Sequence, residues 1–139
     1  MAEYSIRYGS DTLAVKLPAG LSIAEVVGRP MPPLPSVRKR LREGLADPFG
    51  CAPLSVQVRD KQSAMVVVAD YTRNNAYDKW LPELLYQLND CGIPDSAIQL
   101  YIGSGTHRPM SEDEKRACYT DEVWKRVEIL DHDCDAPTG

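Results

Sequence analysis

The sequence predicts an α/β fold, a mostly parallel sheet covered by helices, with a small β-hairpin at the amino end. Three observations carry this. Two apolar runs, residues 64–68 and 98–102, each break off into a polar loop. Between them Leu81, Leu84, Leu85 and Leu88 recur at i, i+3, i+4 and i+7, the spacing of a helix packed by one face. Strands joined by such a crossover run parallel, so both polar loops emerge on one edge of the sheet. Open α/β sheets bind ligands at that edge.

In chain order, residues 4–8 and 12–17 form a hairpin across a three-residue loop of Gly9, Ser10 and Asp11, ended by Pro18 and Gly20. Residues 28–35, GRPMPPLP, hold too many prolines for a regular element, because each removes a donor and fixes its own φ. Ser36 is the expected N-cap of a helix through Leu45, with Val37, Leu41 and Leu45 on one stripe. Asp47, Pro48, Phe49 and Gly50 form a turn, and Pro53 opens a short helix carrying Leu54 and Val58. In the crossover, Pro82 sets the regular helix start close to position 81, since an interior proline costs about 3 kcal/mol. Gly92 supplies its stop. Ser111 and Glu114 match the capping box S-x-x-E, so another helix begins directly behind the second loop. Residues 127–130 form a third strand, ending in the acidic string DHDCD. The whole reads as a Rossmann-like sheet in a single α/β domain over residues 1–139.

A chain of 139 residues, 43% hydrophobic and with a net charge of -4, is long enough to bury a core without staples. No apolar run approaches the roughly 20 residues that span a bilayer. The start MAEYSIRYGS lacks a basic and then apolar leader, so the expected location is cytoplasmic, with no membrane partner. Arg38, Lys39, Arg40 and Arg42 make a basic cluster, yet no aromatic residues interleave with it and the chain is acidic. A solvated helix face explains it better than nucleic-acid binding. Cys51, Cys91, Cys118 and Cys134 are scattered without a C-x-x-C pair, which fits reduced thiols.

Chemistry concentrates in the two loops. His107 follows Gly103-x-Gly105, a turn in which missing side chains leave amide N–H groups open to a ligand. The helix beginning near Ser111 presents its positive end to the same space. A histidine there can act as general acid or base; equally, it can cap a turn or face solvent. Asp70, Thr72 and Arg73 are expected on the adjacent loop, where Arg73 or Arg108 can grip a carboxylate or phosphate. Asp70 can orient a histidine or a ribose hydroxyl, and Asp70 and Thr72 can equally be helix caps. Without a third glycine, the Gly pair is a weak nucleotide signal. The closing DHDCD has metal-ligand residue types without the spacing of a known site, so no metal ligand is assigned.

Together, D-Y-T-R at residues 70–73 and G-S-G-T-H-R-P at residues 103–109 resemble the amino-terminal domain of the nickel-dependent lactate racemase family. The resemblance extends through DPFG at residues 47–50, similar to that family's N-P-x-G turn, through the S-E-D-E after the histidine, and to His132. It implies a 2-hydroxy acid racemase or epimerase that uses a nickel pincer nucleotide bound between two domains. In such enzymes the cofactor takes a hydride from the α-carbon while a histidine removes the hydroxyl proton, and the planar 2-oxo acid receives the hydride on its other face. By the same resemblance His107 is the general acid/base, and Asp70, Thr72, Arg73, Gly105 and Arg108 line the substrate and cofactor site. The family commonly has D-H-T-R-P where this chain has Tyr71 and Asn74, a change that bears on which hydroxy acid is accepted.

The family's cofactor-attaching lysine, second catalytic histidine and nickel-ligand histidine lie downstream of the matching segment. The chain is therefore expected to be the amino-terminal domain of a longer two-domain enzyme, without nickel binding or turnover by itself. The alternative is a stand-alone α/β module that binds an anionic metabolite or nucleotide without chemistry.

Overall fold

A computed structural model describes residues 2–24, 26–73 and 75–136. The chain divides into two compact units, Met1–Pro33 and Leu34–Gly139. In the first, β1 (Ala2–Tyr8) and β2 (Asp11–Leu17) pair antiparallel, with Tyr8 opposite Asp11. The turn is therefore Gly9-Ser10, two residues and not three. Asp11 joins the ladder because Gly9, at φ +61°, supplies the left-handed first position that a tight type II′ turn demands. The proline-rich stretch contains no helix or strand.

The second unit begins with α1 (Val37–Ala46), whose N-cap Ser36 accepts a hydrogen bond from the Lys39 amide at 3.2 Å. After α2 (Leu54–Gln57), the strands β3 (Ala64–Val68), β4 (Ile98–Ile102) and β5 (Glu128–Asp131) form a parallel sheet in the order β3-β4-β5. The crossovers are α3 (Tyr77–Asp90) and α4 (Glu112–Arg126). Leu81, Leu85 and Leu88 of α3 and Tyr119 and Val123 of α4 close over Val68, Leu100 and Ile102. Each such buried side chain contributes about 1.5–3 kcal/mol.

The start of α3 differs from the expectation. The helix begins at Tyr77, upstream of Pro82, and forgoes the bond a residue at 82 would donate. Packing outweighs that loss: Pro82 is fully buried and the Tyr77 ring stacks on Tyr119 at 5.2 Å and on Trp80 at 5.3 Å. The end matches, with Gly92 at φ +94° and the Gly92 and Ile93 amides donating to Asn89 and Leu88 carbonyls, a Schellman stop. Strand β5 lies one residue later than expected.

The basic cluster of α1 faces carboxylates. Lys39 and Arg40 pair with Glu43, Arg38 approaches Glu122 at 3.9 Å, and Arg42 reaches the buried Glu83 at 2.9 Å, tying α1 to α3. All four cysteines are free thiols. No helix among the described residues is long and apolar enough to cross a membrane.

Candidate functional site

The loops after β3 and β4 meet at the carboxyl edge of the sheet. The end of β3 is fixed by two tyrosines, since the Ala69 amide donates to the Tyr77 hydroxyl at 2.6 Å and the Tyr119 hydroxyl donates to the Ala69 carbonyl at 2.7 Å. Burial pushes the Tyr119 hydroxyl well above its ordinary pKa, so it stays a donor. Neither residue was expected at the site. A tyrosine on an amphipathic helix reads as core, and only the fold turns its hydroxyl toward a strand end.

Asp70 follows at once, only 3% exposed. Its Oδ1 accepts from the Thr72 amide at 3.1 Å and the Thr72 hydroxyl at 2.5 Å, while its Oδ2 lies 2.5 Å from Nδ1 of His107. The hydroxyl of Thr72 and then the imidazole of His107 hold the carboxyl down at a pKa of about 2. An ionised, acceptor-only carboxylate on Nδ1 requires a proton there. The neutral ring then exposes the lone pair of Nε2, which has no hydrogen bond among the described residues, and the side chain is 48% exposed.

Gly105, at φ +61°, turns the second loop so that the His107 amide donates to Ser104. The Gly103 amide extends the ladder to the Val68 carbonyl, and the buried Ser104 hydroxyl donates to the His132 carbonyl. The loop's far end is held by Asp131, which accepts from the Met110 amide and pairs with Lys115. The amides of Gly105, Thr106 and Arg108 have no internal acceptor among the described residues.

Arg108 is engaged within the protein. Its guanidinium makes a two-pronged pair with Glu114 at 2.7 and 2.8 Å and lies over the Tyr71 ring at 5.1 Å. That pairing holds Glu114 down at a pKa of about 2. Glu114 also completes the capping box, accepting from the Ser111 amide. With Glu112 and Asp113 it surrounds the α4 terminus with carboxylates, so the positive helix end is already answered by its own first turn. Arg73 makes no ion pair among the described residues. It lines a concavity of about 230 Å³ with Tyr71, Asn75 and Cys118 that His107 does not line. Asn74 lies outside the described residues.

The model of the family described as the lactate racemase N-terminal domain matches residues 8–138. The chain belongs to this family. Among similar proteins, the lactate racemase of Lactiplantibacillus plantarum (strain ATCC BAA-793 / NCIMB 8826 / WCFS1) is 27% identical over 97 residues. That match covers 70% of this chain and 23% of the relative, so the chain spans under a quarter of that lactate racemase. The described residues include no group of three or more His, Cys, Asp or Glu able to hold a metal ion. His132, in the acidic string, instead bonds through Nδ1 to the Tyr101 hydroxyl at 3.0 Å. The two loops thus bring together a carboxylate-oriented imidazole and open backbone amides.

Proposed function

We propose that this domain supplies the proton-transfer half of a 2-hydroxy acid racemase or epimerase. The observation that carries the reading is the hydrogen bond between buried, ionised Asp70 and Nδ1 of His107. Nε2 accepts the substrate hydroxyl proton, and the Asp70 carboxylate stabilises the imidazolium that forms, the division of labour of an aspartate-oriented histidine base. Charge left on the oxygen weakens the C2–H bond toward hydride loss, and once hydride has returned to the opposite face of C2 the imidazolium gives its proton back to the oxygen. A nickel pincer nucleotide, where bound, would supply the hydride acceptor and return the hydride.

Arg73, without an ion pair among the described residues, takes an anionic group such as a cofactor phosphate in the concavity it lines, and Thr72 fixes Asp70. The open amides beside Gly105 bind a second anionic group. Arg108, expected beside Arg73 as an anion grip, keeps its guanidinium on Glu114 and holds the His107 loop.

The test is a chiral assay of the cofactor-loaded parent enzyme on a panel of 2-hydroxy acids beside His107→Ala. Interconversion of one acid, with a loss of about 10²-fold or more in the variant, supports the reading. The concavity at Arg73 favours a second reading, an anion-binding module without chemistry. Inertness on every acid selects that reading, and an unchanged rate in the variant of an active enzyme removes His107 from proton transfer.

A further inference from the structure

Both crossovers advance in one direction across the sheet, from β3 to β4 to β5, and right-handed crossovers of that kind place α3 and α4 on one face. The register puts Val67, Tyr101 and Leu130 in a row on the other face, with Met65, Gln99 and Glu128 in the next row. Met65 is 57% exposed and Val67 68%. A concavity of about 330 Å³ opens beside Met65 and Gln99. Parallel sheets are stable with both faces covered, and among the described residues of Leu34–Gly139 the crossover helices α3 and α4 lie on a single face. Strand β3 is also an edge strand, Ala-Met-Val-Val-Val, with none of the charges, prolines or bulges that protect an exposed edge.

We infer that in the assembled enzyme β3 is an interior strand. A strand from the carboxyl-terminal portion of a racemase of this family pairs parallel to its free edge, and the crossover helix of that strand covers the Val67–Tyr101–Leu130 row. Handedness selects this arrangement. Strands added beyond β5 in the same direction put further helices on the face already covered, whereas a right-handed path to the free edge of β3 lays its helix on the bare one. Polypeptide to do so exists in the family, since the chain spans 23% of the relative it matches. Asp70 then stands at the point where strand order reverses, the position at which such sheets bind ligands. The inference rests on the family membership and not on the racemase chemistry.

Hydrogen exchange tests it on the 139-residue chain and on the same chain co-expressed with the carboxyl-terminal portion of the racemase from its own organism. Exchange across residues 64–68 slows at least about tenfold on assembly. Val67→Asp leaves the thermal midpoint of the 139-residue chain unchanged yet abolishes that protection, while Lys125→Glu on exposed α4 surface retains it. Unchanged exchange on assembly overturns the inference. So does protection already present in the 139-residue chain, from its own residues or a second copy, or a Val67→Asp chain that unfolds. Racemisation is assayed on the same preparation after loading with the pincer cofactor: an inert protein with a protected strand refutes the racemase reading alone, and an active one with an unprotected strand refutes this inference alone.

Discussion

A carboxylate as buried as Asp70 persists as an anion only because three donors converge on it, two from Thr72 and one from His107. Replacing it with asparagine keeps the shape but offers Nδ1 an N–H in place of an acceptor, which moves the ring proton to Nε2 and removes the base. Asp70→Asn in the loaded parent enzyme is expected to lose about 10²-fold or more in kcat with a smaller change in KM; steady-state kinetics checks this. Asp70, Thr72 and His107 were legible in the sequence because each follows an apolar run that ends at the sheet edge. The partner of Arg108 was not. An arginine behind a histidine looks like a ligand grip until the capping-box Glu114 is seen to face two ways, toward the Ser111 amide and toward the guanidinium.

At the scale of elements, periodicity and caps located α1, α3, α4 and the three parallel strands, because leucine spacing and Ser/Gly punctuation are local signals. The misjudged start of α3 was set by a distant contact. Tyr77 carries α3 back past Pro82 by stacking on Tyr119, a partner on another helix that no local window contains. Thr120 is a departure of another kind: it interrupts α4 at φ +71° and ψ 155°, a region that suits glycine alone, with its hydroxyl buried and unbonded. Thr120→Gly is expected to stabilise the chain by about 1 kcal/mol, and Thr120→Ala by less because it keeps the strained backbone. Thermal denaturation of the two variants distinguishes them; a Thr120→Gly chain less stable than the parent contradicts the strain.

For the whole molecule, the α/β class and the edge carrying both loops were legible, since strand direction follows from a single helical crossover. The bare sheet face was not, because β3 reads as an apolar run whether or not something covers it. Acid sensitivity also belongs to this scale. Arg42 beside Glu83, Arg126 beside Asp95, Thr72 and His107 beside Asp70, and Arg108 beside Glu114 all hold carboxyls below their ordinary range. Groups depressed on folding contribute stability that is fully present above their unfolded pKa, about 4, and is lost as pH falls through the folded values, about 2 for Asp70 and Glu114. The thermal midpoint should therefore decline from about pH 4 toward pH 2, and Asp70→Asn should flatten part of that decline.

The measurement that bears most directly on His107 as a base poised by Asp70 is its tautomer, read by long-range proton–nitrogen NMR on the 139-residue chain. With two histidines in the chain, a His132→Gln variant completes the assignment. In the neutral ring the Asp70 hydrogen bond requires the proton on Nδ1, with Nε2 bare and the Asp70→Asn variant reversed. A neutral His107 carrying its proton on Nε2 in the parent chain would contradict the proposed role.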